Sequence, residues 1–364
     1  MKKFIFSLAC LFLLEACNFK ENRESSDSAG VAVDSIYSEV LIPDPMLVLP
    51  TSMTVTDRAI VVADSYKADT LISVYSLDGS PVARLLPKGS GPGEGLWVPN
   101  IQYDKVDNSL YAPDLDKQSI FHILEYAADS PRIETVMSHK SESETDTIIL
   151  QGQIVHMANG LLIAANQTNR GMVAEFDSYG KPLSVRIPFP DKRNIDERLT
   201  DWANINLYYP TLKVSPDGRF AAITFSISDM KIFVTVEGNE LRYRVIDGAF
   251  PNDIFINQSG PDFVQGFATK DTKIYTQDLT LSDRYAYQLY LGMSKEEISQ
   301  TDYFKDTQKN GSQIVKVYDK DGNVVRELIL DRWVKAIAVS PDDRFIYGLT
   351  ESSEDGNSVL RFKM

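Results

Sequence analysis

Two stretches decide how this chain is read: LKVSPDGRFAAITF at Leu212–Phe225 and IAVSPDDRFIYGLT at Ile337–Thr350. Each is an apolar strand, a Ser-Pro-Asp-x turn, Arg-Phe, and a second apolar strand. The proline presets φ at the first central turn position, and the Gly or Asp two places later tolerates a left-handed backbone. The same unit at two distant places is an internal repeat, and its punctuation is that of β-structure.

A second element recurs more often. It reads ISVYSLDGSPVARLL from Ile72, SIFHILEY from Ser119, VAEFDSYGKPLSVRI from Val173, KIFVTVEGNELRYRV from Lys231 and IVKVYDKDGNVVRELIL from Ile314. Most copies are a strand, a tight Gly or Asn hairpin, and another strand. A sixth copy, SVLRFKM from Ser358, stops at Met364 where the hairpin should come. Units of about 40–50 residues built from several short strands imply a β-propeller, and the element count gives six blades. The last blade lacks its outer strand, which would leave unpaired backbone groups on a sheet edge. The alternating segment IYSEVLI, residues 36–42, has no other home. It is expected to complete the last blade and close the ring.

The N-terminus reads MKKFIFSLACLFLLEACNFK. Lys2 and Lys3 precede an apolar run, Phe4–Leu14, that is too short for a spanning helix and reads as a signal peptide. Leu14-Glu15-Ala16-Cys17 resembles the lipobox of bacterial lipoproteins, which implies cleavage before Cys17 and a lipid on it, although Glu15 stands where a small residue is commoner. The chain divides accordingly into a signal peptide at residues 1–16, a polar tether at 17–35 and a propeller at 36–364. Of the 2 cysteines, Cys10 leaves with the signal and Cys17 is consumed by lipid. No disulfide is then available, and the exported fold rests on its core alone. The net charge is −14, and loss of the signal makes it slightly more negative. That argues against nucleic acid and anionic membrane surfaces as partners. A monomer is expected.

The lipobox, GSGPGEG at 89–95, the SPDGR turn, YAYQLYLG from Tyr285 and VYDKDGN from Val317 together resemble the TolB-like six-bladed β-propeller lipoproteins of Bacteroidota. The resemblance covers residues 36–364. It implies a fold and a cell-envelope, outer-membrane address more than a reaction.

Four glycines, Gly89, Gly91, Gly93 and Gly95, fall at alternate positions in the run before Trp97. A phosphate loop needs Gly-Lys-Ser/Thr, and here Lys88 precedes the glycines; a dinucleotide loop needs a following helix, and here strand follows strand. The run reads as a crossing between the outer strand of one blade and the inner strand of the next.

In a four-stranded blade the tight turns gather on one face of the disc, while blade crossings and second-to-third turns gather on the other. The longer segments all belong to that second face. They include 190–209, 248–261 and the insertion 294–312, in which a short helix is expected. Trp97, Trp202 and Trp333 each fall in or beside a crossing. Loops on a rigid scaffold and their aromatics are typical contact groups, so Trp202, Tyr208, Tyr209 and Arg198 lead the candidates for a ligand face, with Trp97 and Trp333 behind them. His122, His139 and His156 lack the close spacing of a metal motif. Asp319–Asn323 lacks the later ligands of a calcium loop. No nucleophile elbow occurs. No cofactor, metal site or catalytic group is expected. The sequence favours a non-catalytic binding or scaffolding module for a glycan, peptide or protein. The alternative is a calcium-dependent hydrolase or lyase of lactonase type, which would place an acid cluster in the central channel.

Overall fold

The computed structural model describes residues 24–25, 30–43, 47–64, 69–114, 116–117, 119–128, 131–138, 153–168, 171–190, 196–199, 207–251, 253–258, 264–300, 311–352 and 356–364. It is a six-bladed β-propeller, as expected. Blade one holds Ser52–Val55, Ala59–Ala63, Thr70–Ser76 and Pro81–Pro87. Blade two holds Gln102–Asp104, Ser109–Asp114, Ser119–Leu124 and Arg132–Ser138. Blade three holds Ile154–His156, Leu162–Thr168, Gly171–Phe176 and Pro182–Arg186. Blade four holds Pro210–Val214, Phe220–Phe225, Lys231–Glu237 and Glu240–Asp247. Blade five holds Lys273–Leu281, Ala286–Ser294, Ser312–Tyr318 and Val324–Val334. A two-stranded hairpin, Ile254–Gln258 with Val264–Ala268, fills the crossing from blade four to blade five.

Blade six takes Ala336–Val339, Phe345–Ser352 and Gly356–Lys363 from the C-terminus and Ser38–Ile42 from the N-terminus. Val40 stands opposite Leu360 and Ser38 opposite Phe362. Arg361 Nε donates to Glu39 across this joint at 2.7 Å. The ring therefore closes through the N-terminal strand. The segment is two strands, however, not one. Ala32–Ile36 lies parallel to the outer strand of blade five, with Ile36 opposite Leu330. Arg326 Nε donates to Asp34 at 2.6 Å. The chain thus enters the sheets inside the stretch expected to be tether. The eleven-residue outer strand of blade five offers an edge, and pairing satisfies it. Ala32–Ile36 buries only Ile36 fully, so its hydrophobic signal is weak. Glu24–Ser25 adds a short parallel pair with Ile246–Asp247 of blade four. The N-terminal segment follows the outer edges of blades four, five and six in turn.

The core is divided among the seams. Phe121, Leu71 and Leu85 pack between blades one and two; Ile120 and Phe176 between two and three; Ile163 and Leu212 between three and four. Phe220 and Tyr318 fill the fourth seam, Leu330 and Phe362 the fifth, and Ile42, Met53 and Leu349 the last. Apolar burial at about 25 cal/mol per Å² acts at every seam, so no blade is held by its own sheet alone.

The Ser-Pro-Asp turns fold alike. Ser215 Oγ accepts from Phe220 N at 3.0 Å, and Ser340 Oγ accepts from Phe345 N at 3.0 Å. Gly218 has φ +68° and Asp343 has φ +56° at the same position. A Cβ at Gly218 would lie 2.9 Å from Ala158 N, whereas the Asp343 carboxylate accepts from Tyr287 Oη and Arg284 Nε, each at 2.8 Å.

The glycine run is the crossing from blade one to blade two. Gly89 N donates to Gly95 O at 2.8 Å and Gly95 N to Pro87 O at 2.9 Å, closing a compact loop. Only Gly93 has positive φ, at +72°. At Gly95 the reason for glycine is space: a Cβ would lie 2.8 Å from Leu71 Cδ1 and 2.9 Å from Leu86 Cδ2. Lys117 Nζ donates to Gly91 O at 2.9 Å and Glu94 O at 2.6 Å. The buried Asp114 carboxylate accepts from Leu96 N at 2.6 Å and Trp97 N at 3.4 Å. Asp64 repeats the device in blade one, accepting from Val48 N at 2.6 Å and Leu49 N at 3.0 Å. Asp114 ends the second strand of its blade, Asp64 directly follows the second strand of its own, and each grips the chain entering its blade.

Candidate functional site

The innermost strands leave one edge facing the axis, where backbone N–H groups need acceptors. Side chains of the preceding blade supply them. Gln102 Oε1 accepts from His156 N at 3.0 Å, and Asp278 Oδ2 accepts from Ile337 N at 2.8 Å. Gln153 Oε1 accepts from Leu212 N. This requirement places polar groups down the axis that no core would otherwise hold.

On the long-loop face Gln153 and Asp278 help to line an open funnel of about 620 Å³. All six blades contribute to it, through Thr51, Pro99, Gln153, Lys213, Asp278 and Lys335 among others. Lys335 Nζ and Glu351 Oε2 pair at 2.9 Å on one wall, both nearly buried. Lys213 lies at the floor. It also borders a narrow lower chamber of about 30 Å³ walled by Met53, Val55, Ile101 and Val339. Its ammonium donates to Asn100 Oδ1. Lys213 is half-buried where the funnel meets the lower chamber. Burial pushes its ammonium pKa down, and the Asp278 charge opposes this. Burial likewise pushes the Asp278 carboxyl up, against Lys213 and the N–H groups of Ile337 and Leu279. Both funnel carboxylates are engaged with lysines, one by contact and one through space.

The candidates named from sequence separate here. Tyr209 is 62% exposed and stands on the funnel wall. Tyr208 is 0% exposed and packs between Phe189 and Phe225, with ring centroids 5.9 and 5.8 Å away. It is core, which corrects its place among contact residues. Trp333 is half-buried against Ile274, Leu291 and Ile298, the last from the helix Lys295–Ser299, so it serves as filler for blade five. Trp97 is 38% exposed in the glycine crossing and does not line the funnel. Arg198 is exposed and turns back on Asp196, with Nε to Oδ1 at 2.8 Å. That ion pair holds the Asp196 carboxyl down at about 2. Trp202 lies outside the described residues. The funnel lysines and amides went unseen in the sequence. They are scattered over the inner strands and the residues that lead into them, and they converge only once the blades are in register.

The histidines are closer than their spacing implies. His122 and His156 both stack on Tyr111, with centroids 4.6 and 5.2 Å away. His122 Nε2 contacts Asp107 at 3.1 Å and Ser109 Oγ at 2.8 Å. Burial pushes the His156 pKa down. His139 lies outside the described residues. Among the described residues, no three His, Cys, Asp or Glu side chains are grouped to hold a metal ion. Also among them, no helix is long and apolar enough to cross a membrane.

A family model described as TolB-like 6-blade propeller-like matches residues 24–342. Among solved structures, a member of the DUF4221 family from Bacteroides vulgatus is similar at 11% identity and TM-score 0.57, covering 90% of this chain and 97% of its own. A Bacteroides fragilis protein described as exported aligns at 12% identity and TM-score 0.48, over 91% of this chain and 99% of its own. A calcium-binding protein, regucalcin, from Agrobacterium tumefaciens aligns at 11% identity and TM-score 0.47, over 91% and 95%. At these identities the likeness is one of fold. No curated protein matches the sequence.

Proposed function

This chain belongs to the TolB-like six-bladed propeller family, and from that premise we propose that it is a non-catalytic binding or scaffolding module of the bacterial cell envelope. Cys17 carries the lipid that tethers it to the outer membrane, and the funnel on the long-loop face takes a glycan, peptide or segment of a partner protein. The observation that carries this reading is the funnel itself, an open concavity of about 620 Å³ to which every blade contributes and five of the six contribute polar side chains. Sites of this kind place a few polar groups in a preformed cavity. The hydrolase or lyase alternative calls for carboxylates gathered and available in the channel. Here Glu351 is bound to Lys335 at 2.9 Å and Asp278 to the backbone of Ile337 at 2.8 Å.

The test is calorimetric titration of the full chain in detergent with neutral and acidic oligosaccharides and short peptides, with and without Ca²⁺. Binding that Gln277→Trp at the funnel wall abolishes supports the reading. Binding indifferent to that block, or Ca²⁺-dependent turnover of a lactone, refutes it. Intact mass after Cys17→Ser checks the anchor: the lipid increment should vanish with the thiol.

A further inference from the structure

The funnel floor also limits what kind of ligand the funnel takes, an inference that rests on the binding reading above. Lys213 Nζ donates to Asn100 Oδ1, and Lys213 lines both the funnel and the chamber beneath it. Asn100 is 2% exposed, and its Nδ2 finds no protein acceptor. Asp278 Oδ2 accepts from Ile337 N at 2.8 Å, and Asp278 lines the funnel together with Lys213. The floor thus presents donors and a carboxylate acceptor side by side. Gln153, Gln277, Thr51 and Thr211 add to this mixed set on the wall, and exposed Tyr209 stands on the same wall.

A carboxylate ligand matches only the donors. It would compete with Asp278 for Lys213, near Glu351, in a protein of net charge −14. A cationic ligand matches only the acceptor and meets both lysines. An apolar ligand would close over the Lys213 ammonium and the Asp278 carboxylate and give neither a polar partner in place of water. A hydroxyl both donates and accepts. Two neighbouring hydroxyls of a sugar ring can bridge Lys213 and Asp278 while the apolar ring face lies on Tyr209. We infer that the ligand of the funnel is a neutral saccharide, held at the floor by Lys213 and Asp278, with Asn100 positioning the lysine from below.

The experiment titrates the full chain in detergent with maltotetraose, cellotetraose, mannotriose, tetragalacturonate and tetra-alanine. Binding of one neutral saccharide is expected. Lys213→Met and Asp278→Asn should each weaken it about tenfold or more, the loss of a charge-assisted hydrogen bond. Asp278→Asn keeps an oxygen for Ile337 N, so it tests the ligand rather than the fold. Should Lys213→Met fail to fold, Lys213→Gln replaces it. The inference falls if no neutral saccharide binds, or if one binds equally well to both variants. The binding reading outlives that failure if tetragalacturonate or tetra-alanine binds and Gln277→Trp removes it. It falls too if no probe responds to Gln277→Trp.

Discussion

Replacing Asp114 by alanine should free the crossing between blades one and two. The buried carboxylate accepts from Leu96 N at 2.6 Å, from Asp116 N and Lys117 N at 3.1 Å each, and from Trp97 N at 3.4 Å. A hydrogen bond to an ionised acceptor contributes about 1.5–3 kcal/mol, and its loss strands the donor. Weighting Leu96 at about 2 kcal/mol and the three longer bonds at about 0.5 each puts the loss at about 3.5 kcal/mol. Part of it can be absorbed by local opening of the loop, where Asp114 and Lys117 bind its backbone. Two readouts separate these outcomes. Urea unfolding of the full chain in detergent gives the global loss. Emission of Trp97, in a chain with Trp202 and Trp333 changed to Phe, reports the crossing alone. Asp114→Ala should shift Trp97 to the red below the unfolding transition, and Asp114→Asn, which keeps one acceptor oxygen, should do so less. Unchanged Trp97 emission with a global loss below about 1 kcal/mol would refute the clamp. Asp64→Ala should act alike at the entry to blade one.

Ile42 is 0% exposed in the closing strand, so Ile42→Ala should cost about 3 kcal/mol in urea unfolding, whereas Tyr37→Ala, 75% exposed between the two N-terminal strands, should cost almost nothing. Gly95→Ala forces a Cβ to within 2.8 Å of Leu71 and should cost about 1–3 kcal/mol by overpacking; Gly93→Ala meets nothing within 4 Å and should cost only the φ +72° strain of about 1 kcal/mol. Tyr208→Ala should cost about 3–5 kcal/mol in the same assay, and Tyr209→Ala should leave stability intact while weakening ligand binding to the funnel. Burial pushes the Glu175 carboxyl up, but hydrogen bonds from Ser184, Tyr243 and Arg186 outweigh it and hold the pKa below the ordinary glutamate value. That stabilisation is present above the unfolded value of about 4.3 and is lost as pH falls through the folded one, so Glu175→Gln should flatten the acid limb of the stability–pH curve below about pH 4.

The crossing role of the glycine run was legible because spacing alone separated it from phosphate loops. Tyr208 and Tyr209 show where that legibility ends. They are neighbours of one type, and a strand starting at Pro210 sends one into the seam and the other onto the funnel wall. Nothing local in the sequence marks which way the pair turns. Asp64 and Asp114 were missed for a related reason: each binds backbone, and backbone leaves no residue signature.

By itself the sequence determined the blade: its turns, its hairpins and the number of copies. Those follow from φ preferences and two-residue alternation, which act over a few positions. The missing outer strand also dictated that an N-terminal segment must close the ring, since a bare edge demands pairing. Only the tertiary structure decided that this segment runs first along blade five through Ala32–Ile36. Only it brought Thr51, Pro99, Gln153, Lys213, Asp278 and Lys335 around one axis. The physical reason is that the funnel holds one contribution from each blade, far apart along the chain. Its chemistry comes into being when the six seams close, and no single segment carries it.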